Sequence, residues 1–187
     1  MRYAACIAVT ILATIATAPA HAAVTVFGGG MAQACSVAAL AGKSDTRSED
    51  LCTGALETEV LDAADRAGTL VNRGVMKLRR GEYEAAHGDF DASIQIEPRL
   101  GEAWVNRGAM FVGERRYTAG LADLNRGLKL GVKEAEKAYY NRALAYEDQG
   151  DLKHAYIDYR KAAELNPGWD QPARQLARFN VKASPVS

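Results

Sequence analysis

The stretches LVNRGVMKL (residues 70–78), WVNRGAMFV (104–112) and YYNRALAYE (139–147) share an Asn-Arg pair followed by Gly or Ala. The asparagines are Asn72, Asn106 and Asn141, spaced by 34 and then 35 residues. A fixed period of that length marks stacked supersecondary units, each too small to bury its apolar face alone. Aligned on those pairs, the units begin at Ala67, Gly101 and Glu136. Their fourth positions are large: Leu70, Trp104 and Tyr139. Their eighth positions are small: Gly74, Gly108 and Ala143. Tyr83, Tyr117 and Leu152 follow at position 17, Ala86, Gly120 and Ala155 at position 20, and Phe90, Leu124 and Tyr159 at position 24. Large and small residues at this spacing predict helices whose knobs fill their neighbours' notches. Each unit is expected to hold one helix over positions 2–14 and a second over 17–30. Gly81 and Gly150 stand at the turn between them, and Pro98 and Pro167 end units one and three.

This pattern resembles the tetratricopeptide repeat (TPR), whose signature places an aromatic, a Gly, another aromatic, Ala, Phe and Pro at set offsets. The resemblance implies an all-α fold, a TPR-type α-solenoid of antiparallel helix pairs. The repeats span 67–100, 101–135 and 136–168. Unit two departs from the signature, with Gly120 for the Ala, Val132 for the Pro and one residue inserted near LGVKE. Solenoid ends need polar caps. Residues 31–66 are expected to form a degenerate N-terminal hairpin, 169–181 a C-terminal capping helix and 182–187 a frayed tail.

In this family the residue before the small position is usually Leu; here it is Arg73, Arg107 and Arg142. A charge under a second helix needs a partner. Asp89, Asp123 and Asp158 each lie sixteen residues on, and the midpoint of each pair falls in the hairpin turn, at Gly81, Arg115 and Gly150. The pairs are therefore read as structural ion pairs across each hairpin. The matched aspartates count against the alternative, an arginine ladder for an anionic ligand.

The resemblance also implies a concave groove lined by positions 2, 5, 6, 9, 12 and 13 of each first helix. On this basis the candidate peptide-binding residues are Val71, Asn72, Val75, Val105, Asn106, Val112, Lys137, Tyr140, Asn141 and Leu144. Gly68, Leu78, Arg79, Glu102, Ala109, Gly113, Glu147 and Asp148 occupy further positions of the same set, Glu147 and Asp148 giving the groove an acidic end. A carboxamide both donates and accepts, so each Asn can hold a peptide backbone or, equally, a neighbouring helix. The carboxylate clamp of the chaperone-binding members is not expected: Asn106 and Lys137 match it, but Val71, Val75 and Asn141 replace most of its positive charge. The mainly aliphatic groove suits an apolar peptide segment or helix.

The N-terminus reads differently. Arg2, then AACIAVTILATIA without a charge, then the Ala20-His21-Ala22 triplet, have the form of a secretory signal over 1–22. Cleavage is expected before Ala23, or alternatively after Ala20, with a linker over 23–30. Cleavage would leave Cys35 and Cys52, which flank AGKSD symmetrically and are expected to pair as a disulfide in an exported chain, the alternative being two buried thiols.

Acidic and basic residues balance at 23 each, which favours neither nucleic acid nor an anionic membrane as partner. His87 and His154 read as solvated, and neither metal-ligand spacing, a phosphate loop nor a nucleophile elbow is present. No cofactor and no catalytic residue are implied. The expected function is a periplasmic protein–protein interaction module, an adaptor or scaffold without membrane insertion once the signal is cleaved. A self-associating envelope protein and an enzyme or metal protein are the competing classes.

Overall fold

The computed structural model describes residues 20–26 and 30–180. The charged start and apolar run of the expected signal, and the tail expected to fray, lie outside the described residues. Among those residues the secondary structure is helical throughout: α1 Met31–Leu40, α2 Thr46–Thr58, α3 Ala63–Arg79, α4 Tyr83–Ile96, α5 Gly101–Gly113, α6 Tyr117–Leu130, α7 Ala135–Asp148, α8 Leu152–Leu165 and α9 Asp170–Asn180. No helix among them is long and apolar enough to cross a membrane.

Successive helices pair as hairpins (α1 with α2, α3 with α4, α5 with α6, α7 with α8), and α9 closes the stack against α8. The second helices occupy positions 17–30 of each unit, as the periodicity predicts. The first helix of unit one starts earlier, at Ala63, because the Asp62 side chain caps it by accepting from the Asp65 N–H. Small residues set the helix spacing. A Cβ on Gly108 would lie 3.0 Å from the Gly120 carbonyl oxygen and 2.9 Å from Leu124 Cγ, so α5 and α6 touch backbone to backbone there. In unit one, Gly74 makes room for the Phe90 ring in the same way. The turn residues Gly81 and Gly150 have φ of 80° and 81°, whereas unit two makes the same turn with Arg115 at φ 61°.

Cys35 and Cys52 form a disulfide across the first hairpin, with Cα atoms 4.9 Å apart. Both half-cystines are fully buried and pack against Met76, joining this hairpin to α3. At the other end, the Trp169 ring lies 4.9 Å from that of Tyr140, and Phe179 packs beside Tyr156 and Tyr159. These aromatics cover the apolar end of the third repeat, which is what a cap must do.

The recurrent arginines each make a three-way junction. Arg107 donates from Nε to Asp123 Oδ2 (2.7 Å) and from Nη2 to Asp123 Oδ1 (3.0 Å), bridging α5 and α6. Its remaining Nη1 donates to Asp91 Oδ1 on α4 of the preceding repeat, at 2.7 Å. Arg142 does the same with Asp158 and, one repeat back, Asn125. Arg73 does so with Asp89 and with Thr53 on α2. One guanidinium thus fixes the angle within a hairpin and the stacking between hairpins. Its planar fork of donors suits this double duty, whereas the leucine usual in the family supplies only packing.

Candidate functional site

The first helices line the concave face, and residues 20–26 lie along it. Every second residue of this segment is held by one asparagine. The Asn141 carboxamide accepts from the Ala20 N–H (2.9 Å) and donates to the Ala20 carbonyl (2.6 Å). Asn106 makes the same pair of bonds to Ala22, at 3.0 and 2.6 Å. Asn72 makes them to Val24, at 2.7 and 2.8 Å. Ser36 on α1 continues the series, accepting from the Val26 N–H and donating to the Val24 carbonyl.

This pattern defines the segment's conformation. The N–H and C=O of one residue point the same way only in an extended chain, where alternate residues face opposite sides. One repeat therefore advances the segment by two residues, about 6.6 Å. The segment runs from the third repeat towards the first, and the buried asparagines satisfy it as a neighbouring β-strand would. Asn106 is further fixed by donating to the Glu102 carbonyl within its own helix.

Side chains fill the remaining space. Ala22 and Val26 are buried. Val24 joins the cluster that contains Val71, Val75 and Phe90, and Ala20 packs on the one that contains Tyr140 and Tyr159. Gly68 leaves room for the Val24 and Val26 methyls, which a Cβ there would approach to 3.0 and 3.1 Å. Lys137 donates from Nζ to the His21 carbonyl at 2.9 Å and pairs with Glu134 on its other side. His21 borders a cavity of about 500 Å³ with Leu78, Arg79, Arg80, Tyr83, Ala109 and Met110. Burial, reinforced by the charges of Arg79 and Lys137, lowers the His21 pKa to about 4, so the imidazole is neutral near pH 7.

Several residues expected in the groove lie elsewhere. Val105 packs under α6, where a Cβ on Gly127 would meet its Cγ2, and Val112 packs against Gly120. Tyr140 faces α8 and α9, with Tyr159 and Trp169 as ring neighbours. Position 5 lies one residue, about 100°, before the asparagine, and position 12 is two turns further along the same stripe; that stripe faces the second helices. Leu144 is partly buried between the clusters of the second and third repeats. The linker expected over 23–30 is, over 23–26, docked chain. Ser36 and Met110 were not foreseen, lying outside the positions the repeat signature marks.

A stack of helical hairpins with a concave face defines the class as an α-solenoid. The family model for the tetratricopeptide repeat matches residues 136–168, and the α3–α4 and α5–α6 hairpins repeat that unit. The described residues form a tetratricopeptide-repeat-type α-solenoid. It is 30% identical over 114 residues to sperm-associated antigen 1 of Mus musculus, covering 57% of this chain and 12% of that protein. The chain thus spans about an eighth of the length of that curated relative. Among solved structures it is similar to MamA (41-end) from Desulfovibrio magneticus RS-1, at 22% identity and a TM-score of 0.62, covering 82% of this chain and 86% of that one. It is also similar to the first TPR of Spaghetti (RPAP3) bound to the HSP90 peptide SRMEEVD, at 22% identity and a TM-score of 0.60, covering 65% and 98%. These likenesses concern the fold.

Proposed function

We propose that this chain is a peptide-binding interaction module whose concave groove holds an extended segment of a partner protein by its backbone. The observation that carries this reading is the asparagine series: three buried carboxamides, one per repeat, each bonding both polar groups of one residue of segment 20–26. Such a surface accepts any chain that stays extended and keeps small side chains where the walls are close. The Spaghetti structure, with its bound HSP90 peptide, supports the same use of this fold.

The N-terminal signal fits this reading. The chain is exported, in our proposal to a bacterial periplasm, and cleavage before Ala23 removes the residues held by Asn106 and Asn141. Two of the three asparagine clamps then stand open to a partner, while Val24 and Val26 keep the first clamp filled.

The test uses a fluorescent decapeptide copying residues 17–26 (TAPAHAAVTV) and the exported, processed protein. Saturable binding is expected, weakened at least tenfold by Asn106→Ala or Asn141→Ala, because each removes two hydrogen bonds from a dry contact. Binding indifferent to both substitutions, or no binding, refutes the proposal.

A further inference from the structure

One residue of the docked segment sits in an electrostatic mismatch. His21 lies between the asparagine clamps of Ala20 and Ala22, and its ring borders the cavity lined by Arg79, Arg80 and Tyr83. The cations around it are not equivalent. Arg80 is paired with Glu49 and Glu82, and Lys137 with Glu134. Arg79 forms no ion pair among the described residues. Its Nη1 donates to the carbonyls of Ala39 (2.9 Å) and Lys43 (3.4 Å) instead. Those contacts anchor the guanidinium at the end of α3 without a carboxylate in ion-pair contact among the described residues. The buried surroundings make that charge costly: Arg79 is one of the arginines whose pKa burial depresses. Glu134 acts on Arg79 only beyond ion-pair distance and is itself paired with Lys137.

We infer that the groove's partner is an extended peptide carrying an acidic side chain at the position His21 occupies, flanked on both sides by small residues such as those at 20 and 22. The inference rests on the groove reading above and adds its specificity. An Asp or Glu there projects into the cavity beside Arg79 and supplies the missing countercharge, while Lys137 keeps its bond to the peptide carbonyl. Ala20 and Ala22 define the flanks, because Ala22 is buried between the walls and Ala20 packs on the third-repeat core. Before cleavage the chain's own segment, with a histidine that must stay neutral, is then a weak occupant, and the acidic partner takes the place that cleavage vacates.

Two measurements decide it, the first on the processed protein and the second on the uncleaved chain. In the first, fluorescent decapeptides TAPAHAAVTV, TAPAEAAVTV and TAPAKAAVTV are titrated at pH 7.5. The Glu peptide is expected to bind about tenfold more tightly than the His peptide, and the Lys peptide about tenfold more weakly, in keeping with a half-buried charge pair gained or opposed. Arg79→Met is expected to erase that ranking without abolishing binding. Equal affinities overturn the acidic preference and leave the groove reading intact; no binding by any peptide overturns both. In the second, His21→Glu is introduced within the chain. Hydrogen exchange at the Ala20 and Ala22 amides is expected to slow about tenfold, and His21→Lys to accelerate it. Exchange rates unchanged by either substitution overturn the inference even where displacement by added peptide is hindered by the tethered segment.

Discussion

Removing the Arg107–Asp123 pair one partner at a time should show how much of the solenoid's stability rests on its junctions. Asp123 is 7% exposed and the Arg107 side chain 18% exposed, so the pair lies between the surface case, worth about 0–1 kcal/mol, and the fully buried one, where deleting one partner costs about 3–5 kcal/mol. Arg107→Met strips Asp123 of two donors and is expected to cost about 2–3 kcal/mol. Asp123→Leu leaves the guanidinium with Asp91 and is expected to cost somewhat less. The double substitution puts two apolar groups of similar shape together and should cost no more than Arg107→Met alone. The coupling energy is then about 2 kcal/mol. Loss of the Asp91 contact occurs in both mutants lacking Arg107 and cancels in the cycle. The first repeat supplies an internal control. There Lys77 Nζ lies 2.8 Å from Asp89 Oδ2, so Asp89 keeps a cation when Arg73 is removed. The Arg73–Asp89 coupling should therefore be about half as large. Urea unfolding followed by circular dichroism and by tryptophan fluorescence (Trp104 and Trp169) measures both cycles. Additive losses in the second repeat, or equal couplings in the two repeats, refute this account of the junctions.

Three further outcomes follow from single sites. Arg115 makes its turn at a φ of 61° where the other units use glycine, so Arg115→Gly should raise stability by about 0.5–1 kcal/mol, read from the urea midpoint. The Tyr140 hydroxyl is buried and has no hydrogen-bond partner among the described residues. Tyr140→Phe should accordingly leave the melting temperature unchanged or raise it, since no bond is lost and a desolvated hydroxyl is removed. In the uncleaved chain, docking of segment 20–26 should also depend on pH. His21 has its ordinary pKa of 6.5 when released and about 4 when docked, so protonation favours release. Docking is at full strength above pH 6.5 and is lost progressively as pH falls towards 4, which hydrogen exchange at the Ala22 amide measures.

Side-chain patterns made most of the fold legible, and the groove's occupant left almost none. The boundaries of the second helices follow from Tyr83, Tyr117 and Leu152 at their starts, and the Arg–Asp junctions from symmetry about the turn residues. The links from Arg107 to Asp91 and from Arg142 to Asn125 escape that symmetry, because they join neighbouring hairpins and depend on the stacking angle. Val105 and Val112 were assigned to the groove by repeat position alone, although the small residues facing them on α6, Gly120 and Gly127, mark a close packing stripe. Residues 20–26 form no amphipathic pattern, since recognition through backbone groups asks little of side chains beyond small size. That same requirement for small residues is what an A-x-A processing site presents, so Ala20-His21-Ala22 reads as the one and also serves the other.

The claim that the asparagines grip alternate backbone amides is tested most directly by methylating the peptide nitrogens one at a time. In decapeptides copying residues 17–26, N-methylation at the positions of Ala20, Ala22 and Val24 removes the donors to Asn141, Asn106 and Asn72. Methylation at His21, Ala23 and Thr25 touches none of those bonds. Fluorescence anisotropy against the processed protein should show affinity falling at least tenfold at Ala20 and Ala22, and by much less at the odd positions and at Val24, whose clamp the processed chain's own Val24 fills. Losses at Ala20 and Ala22 no larger than those at the odd positions would contradict the account.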